Sequence, residues 1–257
     1  MKAIIINADD YGRDALMNKA IREAYHDGLI SDVSIMTTCP DGYNDLINNN
    51  GFEPIGYNGG IHLCLTLGRS LSEMKDSSLV DKNGDFLKKY NKRLFLSRKT
   101  KRAIREEFCA QIKALKSIDG FIITHLDSHQ HIHFDLALLP IAVSVCREYR
   151  IPCMRIPSNS ADLSIKSKIG SFLKKWYIKL HGIKVVDFFG SPFQIRGVSN
   201  RNYDSYELMC HPWYNSYGEI ANKVAIKNAD ECNLLKNDLA SFSESYTMIN
   251  YSDFIKL

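Results

Sequence analysis

Polar residues that are costly to bury recur in short clusters behind apolar runs. Asp9-Asp10 follows Lys2–Ala8, His62 follows Gly59-Gly60-Ile61, and Arg155 and His211-Pro212 close two later runs. Between them stands His125-Leu126-Asp127-Ser128-His129-Gln130-His131-Ile132-His133, with four of the eight histidines. Imidazole and carboxylate ligands suit Zn²⁺, Fe²⁺, Mn²⁺ or a similar divalent cation. Two histidines and one carboxylate leave positions open for water and substrate, and a metal so held lowers the pKa of its water and polarises a carbonyl. Of two adjacent carboxylates, one can hold a cation while the other accepts a proton. A second acid can protonate the leaving group. Those parts make an amide or ester hydrolase.

Taken singly, each residue has a plainer reading. An Asp-Asp pair after a strand is usually a turn or helix cap. A lone His62 is most often a hydrogen-bonded structural residue, Arg155 reads equally as a surface or ion-paired arginine, and His211 is ambiguous. The histidine run is different. In an extended chain His125, His129, His131 and His133 face one side, and in a turn entering a helix His129 and His133 share a face. Either geometry supports metal binding.

These groups need elements to bring them together. Lys2–Ala8 is an isoleucine-rich run typical of a strand buried on both faces. Leu16, Ala20 and Ala24 recur at i+4 before Gly28, which predicts a helix over Asp14–Asp27. Further strands are expected at Val33–Thr37, Ile55–Leu63, Gly120–Leu126, Ile151–Ile156, Ile183–Phe188, Tyr206–Cys210 and Tyr246–Asn250. Helices are expected over Asp41–Asn49, around Ile104–Leu115, from Pro140 to Arg150, and over Ile165–Leu180. A last helix would carry Cys232, Leu235, Leu239 and Phe242 behind an Asn228/Glu231 capping pair. Alternation of this kind implies parallel β-α units. Seven or eight mostly parallel strands favour an irregular (β/α) barrel of TIM-barrel type. In such a barrel the C-terminal strand ends converge on one face, and the five candidate groups sit at five strand ends. Thr66–Thr100 breaks the rhythm and is expected to be an insertion carrying Phe86, Tyr90 and Phe95 within a single domain spanning 1–257.

Composition removes other classes. The chain of 257 residues has 33 Lys+Arg against 29 Asp+Glu, a net charge of +4, with 45% hydrophobic and 24% charged residues. That balance excludes a disordered chain and speaks against a polyanion partner. The longest apolar stretch, Leu136–Cys146, is too short to span a membrane and contains Pro140. The N-terminus reads as a strand rather than a secretory signal. The seven cysteines include no Cys-x-x-Cys pair, so reduced thiols in a cytoplasmic protein are expected. No nucleic-acid or membrane partner is expected. Lys88–Arg102 holds eight basic residues and reads first as a solvated loop entering a helix.

The same residues resemble a known family. Ile6-Asn7-Ala8-Asp9-Asp10-Tyr11-Gly12, Gly60-Ile61-His62-Leu63-Cys64-Leu65-Thr66 and Thr124–His133 are similar to the three signature blocks of the YdjC-like carbohydrate deacetylases. Glu207-Leu208-Met209-Cys210-His211-Pro212 resembles the family's late His-Pro block. The blocks fall in the family's order along essentially the whole chain. The resemblance implies a barrel fold, one divalent metal ion (Mg²⁺ or Zn²⁺) held by Asp10, His62 and His129, and Asp9 as general base. It further implies His211 as the acid, Arg155 holding or tuning the base, an N-acetylated sugar as substrate, and a homodimer. Two places depart from the pattern. Ser158-Asn159 follows Arg155-Ile156-Pro157, and Trp213-Tyr214 follows His211-Pro212. Both lie where substrate could sit, and Trp213 could stack on a sugar face. The rival activities are phosphoester hydrolysis, using the basic segment, and metal-bearing sugar binding without turnover. A pure binder needs no spare carboxylate beside its ligand, which favours turnover.

Overall fold

The computed structural model describes residues 2–88, 90, 95–159, 163–195, 203–222, 235–239 and 246–257. Its centre is β1 (Lys2–Tyr11), in which every residue after Lys2 is buried. A strand with neighbours on both edges and layers on both faces reads as a near-continuous apolar run, which Ala3–Ile6 and Ala8 supply. Here β2 (Asp32–Ile35), β7 (Ser205–Cys210) and β10 (Tyr246–Met248) all pair with β1 in parallel. Beyond β2 lie β3 (Asn58–Leu63), β4 (Ile122–Ser128) and β5 (Cys153–Met154), and beyond β7 lies β6 (Phe188–Gly190), completing an eight-stranded sheet.

The two edges approach each other through one stretch of chain. Lys184 forms a parallel bridge with Cys153 of β5, and four residues later β6 pairs with β7. The sheet is thereby curled into the irregular, barrel-like form expected from the alternation of elements. Helices α1 (Ala15–His26), α2 (Pro40–Asn48), α3 (Arg98–Lys116), α4 (Leu139–Glu148) and α5 (Ile165–Leu180) follow successive strands. Their starts are fixed locally: Asp14, Ser97 and Ser164 each accept a backbone N–H of the first turn. Short helices α6 (Pro192–Ile195), α7 (Leu235–Leu239) and α8 (Tyr251–Lys256) come later.

Several boundaries differ from expectation. The strand expected over Ile55–Leu63 begins only at Asn58, because Gly56 and Tyr57 have φ of 64° and 54°, far from extended backbone, and turn the chain just before it. The strand expected over Ile183–Phe188 is the bridge at Lys184 followed by β6, because the chain leaves one sheet edge for the other there. The antiparallel hairpin of β8 (Pro212–Tyr214) and β9 (Ile220–Asn222) has no counterpart among the expected elements. It lies off the main sheet and against α1, where Lys19 sits 5.5 Å from the Tyr214 ring. Cys232, Phe242 and the Asn228/Glu231 pair lie outside the described residues, as do several lysines and arginines of Lys88–Arg102.

The irregular stretch before α3 is pinned rather than loose. The buried Glu107 carboxylate accepts from the hydroxyls of Ser70 and Ser72 and from the backbone of Leu71 and Ser72. Phe86 enters the core, whereas Phe95 is exposed. No helix among the described residues is long and apolar enough to cross a membrane.

Candidate metal centre and its buried carboxylates

The strand register assembles the site. Ser34, Gly60 and His125 lie in one row across β2, β3 and β4. His125 Nε2 reaches Ser34 Oγ at 3.0 Å by lying across the middle strand. That path requires glycine: a Cβ on Gly60 would stand 2.2 Å from His125 Nε2. Two residues further along, His62 and Asp127 are in-register partners. Their side chains share a face, and His62 Nδ1 lies 2.7 Å from Asp127 Oδ1. With Nδ1 so engaged, Nε2 presents its lone pair away from Asp127, the arrangement in which an imidazole ligates a metal.

Asp10, next to last in β1 and within the register shift between Ala8 and Tyr11, has φ at 67°, in the left-handed region, a conformation that costs of order 1 kcal/mol or more for a residue with a Cβ. Its Oδ1 stands 2.9 Å from His129 Nδ1 and 3.3 Å from His62 Nε2. One donor atom from each of Asp10, His62 and His129 lies within 4.8 Å of the others. His62 Nε2 is buried and makes no hydrogen bond among the described residues. A buried ring nitrogen that faces a carboxylate without a hydrogen bond, beside a second imidazole, is what a cation would complete, so this donor set fits a divalent metal. The positive φ of Gln130 and His131, at 53° and 54°, turns the chain sharply after His129. His129, His131 and His133 are thereby parted, and His131 packs edge-on against the Phe189 ring. His125 goes to Ser34 and Thr124, His129 to Asp10, and His133 to the Ser128 hydroxyl.

Beneath this cluster Arg155 is fully buried among carboxylates. Its terminal nitrogens contact both Asp9 oxygens at 2.7 Å, one of them also meets Asp127 Oδ2 at 2.7 Å, and Nε donates to Glu207 Oε1 at 2.7 Å. The other Glu207 oxygen accepts from the Tyr251 hydroxyl at 2.6 Å. Asp9 Oδ1 also accepts from Asn7 Nδ2 at 2.9 Å. Asp9 Oδ2 accepts only from Arg155 among the described residues. A carboxylate oxygen has two acceptor sites, so Oδ2 keeps one for a proton.

Burial and charge compete at every group. Burial pushes Asp9 up, but the charge and hydrogen bonds of Arg155 together with the nearby His62 ring more than offset it, and the carboxyl is held below its usual range. Asp10 is likewise held well below that range: burial raises it, and the rings of His129 and His62 more than offset this. Burial disfavours the charged form of His62, yet Asp127 and Asp9 lift its pKa well above that of free histidine. The excess negative charge that does this is charge a divalent cation would neutralise. Glu207 is pushed up to about 7 by burial, Arg155 compensating only in part. Burial lowers His125 to about 3 and His131 to about 4. His211 is lowered too, since burial outweighs the pull of Asp9 and Asp10. His211 follows β7, with its backbone N–H bonded to Asn222 Oδ1 of β9 at 2.9 Å. Trp213 is half-buried in the neighbouring hairpin.

All the residues picked out by spacing except Trp213 thus fall in one electrostatic unit. Asp127, Glu207 and Ser34 belong to it as well, although their spacing alone assigns them no role. The sequence does carry a signal for them: each is a polar side chain in a buried strand, where burial without a partner is expensive.

Comparison with known proteins places the chain in a family. Residues 3–244 match the family described as YdjC-like protein, and the chain belongs to that family. It is 30% identical to a carbohydrate deacetylase of Thermoanaerobacter pseudethanolicus, covering 98% of this chain and 99% of that one. It is 29% identical to a chitooligosaccharide deacetylase of Yersinia enterocolitica over 82% and 81% of the two chains. A crystal structure from Enterococcus faecalis V583, of a protein described as a candidate for cellobiose-phosphate cleavage, superposes with a TM-score of 0.66. It covers 98% of both chains at 22% identity, and shares the fold.

Proposed function

We propose that the protein is a metal-dependent hydrolase that removes N-acetyl groups from an amino sugar or short oligosaccharide of the chitooligosaccharide type. One observation carries this reading: a three-donor cluster of Asp10, His62 and His129 adjoins a separate aspartate, Asp9, that is buried, charged and oriented. The names of the relatives supply the substrate class.

Asp10, His62 and His129 would hold one divalent ion, Mg²⁺ or Zn²⁺. When bound, such an ion supplies Lewis acidity toward water and the acetyl oxygen. The rest is done by the chain. Asp127 fixes the His62 ring so that Nε2 faces the donor cluster. Arg155 keeps Asp9 ionised and aims its free acceptor site. Asp9 Oδ2 takes a proton from water as the water oxygen bonds to the acetyl carbon. The C–N bond then breaks with a proton delivered to nitrogen from His211, leaving acetate and a free amine. Trp213, two residues past His211, would offer an aromatic face to the sugar.

The test is acetate release from N-acetylated saccharides by protein stripped of metal and by protein resupplied with Mg²⁺ or Zn²⁺. Release that depends on the added ion is expected. Phosphate release from sugar phosphates without acetate release, or saccharide binding with no turnover in any metal, overturns the reading.

A further inference from the structure

Helix α5 carries a surface that neither the core nor the site uses. Ile165, Ile169, Phe172, Leu173, Trp176 and Leu180 follow the spacing of one helical stripe, and each is more than half exposed. The only buried residue of the helix is Ile178, so the apolar stripe faces outward. Exposed apolar residues scattered singly need no explanation, but a contiguous patch of large ones does. Beside the stripe a groove of about 420 Å³ is lined by Leu136, Leu139, Gly170 and Leu173. Leu136 itself is 59% exposed and follows the turn that carries His129.

The charged residues of the helix itself are of one sign, with Asp187 beyond it paired to Lys175. The helix holds Lys166, Lys168, Lys174, Lys175 and Lys179, and no acidic residue occurs between Leu163 and Val186. At about 100° per residue, Lys166 falls on one flank of the stripe and Lys179 on the other. A second copy laid helix to helix would set lysine against lysine with no carboxylate from either helix to meet them. An apolar stripe with Phe and Trp, bordered on both sides by lysine, matches a helix lying in the plane of a bilayer with anionic headgroups. Such a helix needs neither the length nor the hydropathy of a membrane span.

We propose that the outward face of α5 docks on an anionic phospholipid surface. The aromatic and aliphatic side chains enter the headgroup–acyl boundary, and Lys166 and Lys179 meet lipid phosphates.

The test is sedimentation of the full chain with two kinds of vesicle, phosphatidylcholine alone and an equal mixture with phosphatidylglycerol. Partitioning should be at least about tenfold greater onto the anionic vesicles and should fall with added salt, as each lysine near the surface contributes roughly 1 kcal/mol, about fivefold. Phe172→Glu combined with Trp176→Glu should abolish binding. Lys166→Glu combined with Lys179→Glu should reduce it at least about tenfold while leaving the apolar stripe and the thermal transition unchanged. No binding, or equal binding to both vesicles, overturns the proposal. So does a dimer in analytical ultracentrifugation that ignores vesicles and is dissociated by Phe172→Glu with Trp176→Glu. Binding is read without turnover, so its failure leaves the proposed hydrolase activity standing.

Discussion

Replacing Arg155 by methionine isolates the electrostatic problem at the heart of the protein. The guanidinium contacts Asp9, Asp127 and Glu207 at 2.7 Å, and all four groups are buried. Methionine fills much of the same volume but leaves three carboxylates without their cation. Breaking a buried ion pair by removing one partner costs about 3–5 kcal/mol. For a chain of this size that corresponds to a fall in Tm of roughly 6–20 °C. The deficit has a sign in pH. Arg155 is the largest of the influences that hold Asp9 low against the effect of burial. Without the guanidinium, burial raises the folded pKa of these acids above the unfolded value. The folded variant then binds more protons than the unfolded chain, and its stability increases as pH falls toward 5. Thermal melts of wild type and Arg155→Met at pH 8 and pH 5.5 should therefore show the large deficit at pH 8 and a smaller one at pH 5.5. Arg155→Lys should fall between, since one ammonium cannot make four directed contacts. A deficit under about 1 kcal/mol, or one that grows on acidification, would refute the claim that Arg155 neutralises this cluster.

The remaining predictions concern the site. Asp9→Asn should leave metal content unchanged and lower turnover by roughly 10²–10⁴; metal analysis showing loss of the ion would make Asp9 a ligand rather than a base. Asp127→Asn should weaken metal affinity about 10–100-fold by releasing the His62 ring, read by isothermal titration, and an unchanged affinity would remove its orienting role. His211→Ala should keep its metal and lose about 10²-fold or more in N-deacetylation, but much less on an activated acetate ester whose leaving group needs no proton. Equal losses on amide and ester would reassign His211 to substrate positioning, with His125 the next donor to test. Because burial lowers the His211 pKa, wild-type amide turnover should decline as pH rises through a value below 6.5 if this ring is the acid.

Much of the architecture is legible in the amino-acid sequence. Lys2–Ala8, Tyr206–Cys210 and Ile165–Leu180 lie close to the observed bounds of β1, β7 and α5, because burial on both faces or a sustained helical period leaves few alternatives. Family resemblance groups Asp10, His62 and His129, and the fold brings their donor atoms together. What the sequence conceals depends on register. That His62 meets Asp127, and that His125 crosses Gly60 to reach Ser34, follows from which residues pair across β2, β3 and β4, which no local pattern encodes. The four-histidine run suggests a shared ligand face, yet the left-handed turn at Gln130 and His131 parts them. Periodicity predicts α5 but not its outward apolar stripe, since it does not say which face of a helix points inward.

The central claim is that Asp10, His62 and His129 hold a single divalent cation beside Asp9. A crystal structure of the protein grown with Zn²⁺ or Mn²⁺, with anomalous scattering recorded at the metal edge, addresses it directly. One peak should lie within about 2.0–2.3 Å of an Asp10 oxygen, His62 Nε2 and a His129 ring nitrogen, with Asp9 remaining on Arg155. A peak ligated instead by His131 or His133, or by Asp9 in place of Asp10, would contradict the account.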